Sequence, residues 1–142
     1  MSYKPIIIVA GEPNSIFLEI FFKSLKFKKY KSPLILVCSK KLLLNQMKKF
    51  KFQKKINLIN PIKIHNYKLD NKNINLIDIK LDFNNSFKKI NNKSNFYIEE
   101  SFRIAFKMIK SGLTDKFING PISKKKFLKK KYLGVTEYIS EK

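Results

Sequence analysis

The stretch "AGEPNSIFLE" carries residue types that could hold an anion. Gly11 and Glu12 come directly after the apolar run "PIIIVA", and Pro13 stands near the first turn of the helix that we predict to follow. A helix N-terminus placed after a buried strand points free backbone N–H groups at a bound anion. The alternative is an ordinary strand-to-helix turn, in which the glycine and the proline only end one element and begin the next.

A second stretch with the same potential runs from "NGPISK" to "GVTEY" near the C-terminus. Gly134 permits a sharp backbone turn, and Thr136 is placed to cap the next helix while presenting its hydroxyl group to a phosphate or carboxylate. The commoner use of such a threonine is a plain N-cap. Gly-x-Gly-x-x-Gly and Gly-Lys-Ser/Thr sequences do not occur in the chain. A nucleotide would therefore have to be held without either of these phosphate-binding motifs.

Strand and helix patterns alternate through the first third of the chain. "PIIIVA" and "PLILVCS" are short apolar runs, as expected of strands buried on both faces. "SIFLEIFFKSLKFKK" places its apolar residues on one helical face, and "KKLLLNQMKKF" predicts a second helix. This order of elements predicts an α/β fold with a mostly parallel sheet and flanking helices. At 142 residues the chain is about the size of one domain, so we expect residues 1–142 to form a single α/β unit.

The middle of the chain predicts short strands. Alternating apolar residues at Ile62–Ile64 and Ile74–Ile79, between turns rich in Asn and Asp, indicate two or three of them. "DKFING" indicates one more strand, which ends at Gly120.

A long helix is expected from Ser94 to about Lys110, since its apolar residues recur on one face. Glu99 precedes Arg103 by four residues, the favourable order for an ion pair on a helix. Gly112 is placed to end this helix.

The formal net charge of +21 is consistent with two different explanations. Lysine runs such as "KKFKFQKK", with aromatic residues between them, are typical of a small basic protein that binds nucleic acid. However, Arg103 is the only arginine, and specific recognition of bases and phosphates depends mainly on arginine. A genome rich in A and T also produces chains rich in Lys, Asn, Ile and Phe. We therefore expect no specific nucleic-acid partner.

The cysteine content and the hydropathy predict a cytoplasmic protein. Cys38 is the only cysteine, so an internal disulfide is excluded, and its apolar surroundings predict a buried residue at a strand end. The N-terminal apolar run is too short for a signal peptide, and no stretch approaches the length that spans a membrane. We expect a soluble chain with no membrane partner.

Three motifs in order resemble those of the 4-hydroxythreonine-4-phosphate dehydrogenases. "IIIVAGEPNSIFLE" is similar to the family's strand followed by Gly-Glu-Pro-Ala-Gly-Ile-Gly-Pro-Glu, and "NGPISK" and "GVTEY" are similar to its Thr-Gly-Pro-Ile-x-Lys and Gly-His-Thr-Glu-Phe stretches. The resemblance extends from Ile6 to Tyr138. It implies substrate contacts from Gly11, Glu12 and Lys124 as well as Thr136.

The resemblance implies an incomplete fold of the isocitrate and isopropylmalate dehydrogenase type. The implied activity is an oxidation of 4-phosphooxy-threonine that depends on NAD and a divalent metal, followed by loss of carbon dioxide, in the biosynthesis of pyridoxal phosphate. Family members are homodimers with the active site at the subunit interface.

Two departures from the family motifs bear on catalysis. Val135 stands where the family has a substrate-binding histidine, so only Thr136 carries over from that pair. Asn14, Ser15 and Phe17 replace small residues of the first motif and make its loop bulkier.

The family's metal-binding histidines and its substrate-binding Lys, Asn and Arg follow the last of these motifs. His65, the only histidine here, is expected to be a solvated loop residue, and one His with one Cys cannot supply three metal ligands.

We expect the chain to be the N-terminal portion of a longer dehydrogenase, with no catalytic or metal-binding residues of its own and inactive as 142 residues. The alternatives are the basic nucleic-acid-binding protein and a related dehydrogenase with another substrate.

Overall fold

The computed structural model describes residues 3–81, 92–129 and 131–142. Residues 82–91, part of the Asn-rich stretch in which short strands were predicted, lie outside these ranges. The strands are β1 (Ile6–Val9), β2 (Leu34–Cys38), β3 (Ile56–Leu58), β4 (Ile74–Asp78) and β5 (Phe117–Asn119). The α-helices are α1 (Phe17–Phe27), α2 (Lys40–Lys49), α3 (Asn92–Lys110) and α4 (Val135–Ser140), and a 3₁₀ helix covers Pro61–Asn66.

The five strands form one sheet in the order β3-β4-β2-β1-β5, and every neighbouring pair in it is parallel. The predicted α/β fold with flanking helices is confirmed. All five residues of β2 are buried, which requires cover on both faces of the sheet. The long helix α3 packs against β1 and β2, and α1 contacts α2.

The core consists mainly of branched aliphatic residues on the strands and aromatic residues on the helices. Phe22 of α1 stacks on Phe52, which follows α2, with ring centroids 4.6 Å apart. On α3, Phe102 is fully buried and its ring lies 5.9 Å from that of Phe117 on β5. Aromatic pairs at these distances add stabilisation beyond the area that they bury. The helices are therefore fixed to the sheet at its edge strand as well as at its centre.

Several sequence predictions about single elements are confirmed. Cys38 is fully buried at the end of β2, and burial raises the pKa of its thiol, so the thiolate needed for reactivity is disfavoured. Gly112 follows the end of α3 with a φ of +80° and donates its N–H to the carbonyl of Ile109. His65 is exposed, although it lies in the 3₁₀ helix instead of a loop.

The prediction of a strand at Ile62–Ile64 was wrong, because these residues belong to the 3₁₀ helix. The side chain of Asn60 accepts a hydrogen bond from the N–H of Ile62 at 2.9 Å, and Pro61 occupies the start of the helix. Asparagine as N-cap followed by proline is a signal for the beginning of a helix. The strand paired with β4 at this edge is β3, a few residues earlier.

The predicted pair of Glu99 with Arg103 was also wrong. Arg103 binds Glu100 through two hydrogen bonds of 2.7 and 2.6 Å, at a spacing of three residues instead of four. Both spacings bring side chains together on a helix. Glu99 lies close to Tyr138 of α4, whose pKa is raised to about 12 mainly by burial and further by the charge of Glu99.

Candidate functional site

The candidate site lies at the carboxyl ends of β1 and β5, which are neighbours in the sheet. Their parallel register pairs Ile7 with Phe117 and Val9 with Asn119. The segments that follow the two strands therefore leave the sheet side by side, at the edge where α/β folds bind ligands. We call residues 10–15 the first loop and residues 120–127 the second loop.

Two glycines let the backbones of the two loops touch. Gly11 has a φ of +76°, and a Cβ added there would lie 2.8 Å from the carbonyl carbon of Gly120. A Cβ added at Gly120 would lie 2.7 Å from the carbonyl carbon of Ala10. Real side chains do not approach a backbone this closely, and the φ of Gly11 favours glycine independently. Glycine is required at both positions for this approach.

Backbone hydrogen bonds continue from the strands into the loops. The N–H of Gly120 donates to the carbonyl of Val9 at 2.7 Å, and the N–H of Glu12 donates to the carbonyl of Pro121 at 2.8 Å. The first loop and the second loop are thus held together beyond the end of the sheet.

The side chain of Glu12 adds a further connection between the loops. Its Oε1 atom accepts a hydrogen bond of 3.1 Å from the backbone N–H of Ser123. Glu12 is only 8% exposed, and its Oε2 atom is buried without a hydrogen-bond partner among the described residues. Burial raises the pKa of this carboxyl group, while the Ser123 hydrogen bond and the charge of Lys126 lower it in part. Buried carboxyl groups with raised pKa values are enriched at functional sites.

The second loop turns around Ser123. Its hydroxyl oxygen accepts a hydrogen bond of 3.1 Å from the N–H of Lys126, and its carbonyl accepts one of 2.9 Å from the N–H of Phe127. Lys124 follows Ser123 directly and is exposed. Asn95 of α3 donates to the carbonyl of Lys126 at 3.3 Å, so the far side of this turn is tied to the long helix.

The start of α1 differs from the prediction. The helix begins at Phe17, four residues after Pro13, with Ile16 as its N-cap and no hydrogen bond from the N-cap side chain. The hydroxyl of Ser15 accepts a hydrogen bond of 3.3 Å from the N–H of Phe17. Pro13, which was predicted to lie near the first turn of the helix, instead belongs with Gly11 and Glu12 to a separate loop before it.

The start of α4 also differs from the prediction. Gly134 is the N-cap, and Thr136 is the second residue inside the helix. Thr136 therefore does not cap the helix, although its side chain is exposed. Gly134 does lie in a bend of the chain, but its φ of −159° is extended backbone available to any residue, so this bend does not require glycine.

The helix α4 is anchored by Tyr138, which is buried. Its ring meets those of Phe102 on α3 at 5.4 Å, Phe127 of the second loop at 5.3 Å and Tyr132 at 5.4 Å, all nearly perpendicular. Perpendicular rings at this distance attract each other. The second loop is therefore packed under α4 as well as bound to Glu12.

The structure brings some of the predicted site residues together. Gly11 and Glu12 contact the second loop, from which Lys124 projects. Within residues 3–81, 92–129 and 131–142, no hydrogen bond, ion pair or ring contact joins Lys124 or Thr136 to Glu12. Ser123 was not singled out from the sequence, and the only signal for it was its place in "NGPISK".

The described residues do not form a metal site. Across the described ranges, no group of three or more His, Cys, Asp or Glu side chains could hold a metal ion. Cys38 is buried in the sheet and His65 is exposed on the 3₁₀ helix. The described residues therefore offer no ligand set for a divalent metal, whose ligands the resemblance places after the last of the three motifs.

The fold is similar to that of two solved 4-hydroxythreonine-4-phosphate dehydrogenases. For the protein from Burkholderia phymatum the TM-score is 0.81 at 20% sequence identity, and the match covers 98% of this chain and 43% of that chain. For the protein from Klebsiella pneumoniae the TM-score is 0.78 at 20% identity, covering 97% and 44%. The likeness establishes the fold.

This chain spans less than half the length of those solved structures. No protein-family model matches the sequence, and no curated protein matches it significantly. None of the helices in the described part of the chain combines the length and the apolar character needed to cross a lipid bilayer.

Proposed function

We propose that this chain forms the N-terminal part of a 4-hydroxythreonine-4-phosphate dehydrogenase. The observation that carries the proposal is the paired arrangement of the two loops, since the "GEP" and "GPISK" motifs of the sequence resemblance build them. Motifs that are 111 positions apart meet at the carboxyl edge of a parallel sheet, where such folds bind ligands. The fold likeness over 97–98% of the chain supports the same assignment.

The proposed reaction oxidises the secondary hydroxyl group of 4-phosphooxy-threonine to a ketone. NAD bound to the complete enzyme would accept the hydride while a proton is released, and the oxidised product would then lose its carboxylate group as carbon dioxide. NAD and a divalent metal belong to this proposal for the complete enzyme, as do a homodimer, a cytoplasmic location and a role in pyridoxal phosphate biosynthesis. We infer that the 142 residues bind substrate without turning it over, because the described residues do not form a metal site.

Substrate binding is proposed for Gly11, Glu12, Lys124 and Thr136. Lys124 and Thr136 are exposed and carry polar groups that suit a phosphate or a carboxylate. Gly11 and Glu12 contribute through the loop that they build, since the carboxylate of Glu12 points into the protein and not into solvent. The family histidine is replaced by Val135, so one hydrogen-bond donor to the substrate is absent from this set.

A binding experiment tests the proposal without requiring turnover. The 142-residue chain is titrated with 4-hydroxythreonine 4-phosphate while the amide resonances are followed by NMR, and inorganic phosphate and unphosphorylated 4-hydroxythreonine serve as comparison ligands. We expect saturable shifts at residues 10–15, 120–127 and 134–136, with the phosphorylated amino acid binding more tightly than either comparison ligand. Equal binding of inorganic phosphate, with shifts spread over the lysine-rich surface, would contradict the proposal.

A genetic observation tests the part of the proposal that concerns the rest of the enzyme. We expect the DNA that follows codon 142 to encode a continuation containing histidines. Downstream DNA that encodes nothing similar to the remainder of these dehydrogenases would reduce the assignment to one of fold alone.

A further inference from the structure

We propose that Glu12 is a positioning residue that clamps the second loop to the first and thereby sets the backbone from which Lys124 projects. This inference rests on the proposed function in one respect only, namely that the Lys124 side chain positioned in this way binds the substrate. The clamp itself is a property of the chain, and its geometry comes from the contacts of a single buried carboxylate.

The clamp holds the second loop at two successive points. The N–H of Glu12 reaches the carbonyl of Pro121 at 2.8 Å, and the Oε1 atom of Glu12 reaches the N–H of Ser123 at 3.1 Å. Glu12 therefore forms hydrogen bonds with one carbonyl and one N–H group of the segment that follows β5. A backbone held in this way at two nearby points has little freedom to rotate, so the direction of the chain at Lys124 is fixed.

Burial explains why this contact is a clamp and not a surface hydrogen bond. Glu12 is 8% exposed and Ser123 is half-buried, so water has limited access to the hydrogen bond between the carboxylate and the N–H of Ser123. An N–H group that loses its acceptor where water has limited access costs free energy, up to about that of the lost hydrogen bond. The close contact between Gly11 and Gly120 leaves no room for the loops to shift and find another acceptor.

The charges around Glu12 are consistent with a positioning role. The charged group that affects it from the second loop is Lys126, and the N–H of Lys126 also donates to the hydroxyl of Ser123. The Oε2 atom has no hydrogen-bond partner among the described residues, so the carboxylate makes one good hydrogen bond and leaves part of its capacity unused. A glutamine can make the same hydrogen bond through its side-chain carbonyl, whereas an alanine cannot.

The first test compares amide hydrogen exchange in the 142-residue chain and in its variants Glu12→Gln and Glu12→Ala. We expect the Ser123 amide to be protected in the unchanged chain and in Glu12→Gln. In Glu12→Ala, the exchange of Ser123 should accelerate by at least about tenfold relative to amides of β2 and β4 in the same sample. Equal protection of Ser123 in all three proteins would overturn the proposal.

A second test does not depend on the folding of the alanine variant. The chemical shift of the Ser123 amide is followed against pH in the unchanged chain and in Glu12→Gln. We expect an inflection above the ordinary glutamate pKa in the unchanged chain and none in the glutamine variant, because the amide donates directly to the titrating group. The same inflection in both proteins, or none in either, would overturn the clamp.

Neither test contains substrate. A chain that fails to bind 4-hydroxythreonine 4-phosphate but retains both Ser123 signatures contradicts the proposed function and leaves the clamp supported. A chain that binds the substrate but lacks both signatures contradicts the clamp and leaves the proposed function supported.

Discussion

The carboxylate of Glu12 accepts a hydrogen bond from the backbone N–H of Ser123, which lies 111 positions later in the chain. The strand order explains how the two residues meet, because β5 pairs with β1 at the opposite end of the sheet from β3. The loops after these two strands are adjacent although most of the chain separates them. The candidate site therefore forms only when the last strand has joined the first.

Replacing Gly11 by alanine should destabilise the fold more than the same change at Gly112. Both residues have positive φ, +76° and +80°, so both changes strain the backbone by about 1–2 kcal/mol. Only at Gly11 would the new Cβ also overlap with the backbone of the second loop, which adds about 1–3 kcal/mol, while nothing lies within 4 Å of a Cβ at Gly112. Urea denaturation of the two variants measures the difference, and equal losses would refute the close approach of the loops.

The stability contributed by Glu12 should decrease as pH rises. Burial raises its pKa in the folded chain, so the folded chain binds this proton more tightly than the unfolded chain does. The contribution is therefore fully present below the ordinary glutamate pKa and is lost as pH rises through the raised value. We therefore subtract the free energy of unfolding of Glu12→Gln from that of the unchanged chain at each pH. We expect this difference to fall as pH rises from below the ordinary glutamate pKa through the raised pKa of Glu12.

Glu100 provides the control for this pH dependence. The hydrogen bonds from Arg103 lower the pKa of its carboxyl group in the folded chain, so its contribution should be present above the ordinary glutamate pKa and lost as pH falls. The free energy of unfolding of the unchanged chain, minus that of Glu100→Gln, should therefore rise with pH. Urea denaturation at several pH values measures both differences, and slopes of the same sign in the two variants would be inconsistent with the burial of Glu12.

The sequence predicts the sheet well because buried parallel strands are apolar along their whole length, as in β1 and β2. Its errors arise where local patterns fit two structures. Alternation at Ile62–Ile64 also suits a helix that begins at Pro61, and Arg103 has an acidic residue both three and four positions before it. Packing against the rest of the fold decides between such alternatives, and a local sequence pattern does not show which residues will pack together.

The candidate site could be predicted from the sequence only as two separate loops. The hydrogen bond from Ser123 to Glu12 depends on β5 lying next to β1, and local patterns do not specify which strands become neighbours. The position of Thr136 inside α4 was missed because both Gly134 and Thr136 are acceptable N-caps.

Removing the ring of Tyr138 should detach α4 from the second loop. Its ring contacts Phe102, Phe127 and Tyr132, and replacing a buried aromatic residue by alanine typically costs about 3–5 kcal/mol. Tyr138→Phe keeps these ring contacts and should cost less than about 1 kcal/mol. Thermal unfolding followed by circular dichroism measures both losses. A phenylalanine variant as unstable as the alanine variant would show that the hydroxyl group, and not the ring, anchors the helix.

Lys124 should bind the phosphorylated substrate specifically, whereas its neighbour Lys125 should not. Both side chains are exposed and carry the same charge, so Lys125→Ala controls for the loss of one positive charge. A charge-assisted hydrogen bond to phosphate contributes enough that Lys124→Ala should weaken the binding of 4-hydroxythreonine 4-phosphate by about tenfold. Lys125→Ala should weaken it by less than about twofold. Isothermal calorimetry compares the two variants, and equal losses would indicate attraction by the overall charge alone.

Binding to nucleic acid should be weak and independent of sequence. The net charge of +21 attracts any polyanion, but it results from 31 basic and 10 acidic residues, and Arg103 is the only arginine among the basic ones. Lysine provides charge without the paired hydrogen bonds that recognise a phosphate or a base edge. Fluorescence anisotropy with random oligonucleotides should give dissociation constants of about 10⁻⁴ to 10⁻⁶ M at physiological salt, as for non-specific binding. Submicromolar affinity with a preferred sequence would instead favour the basic nucleic-acid-binding protein, because charge alone cannot distinguish one sequence from another.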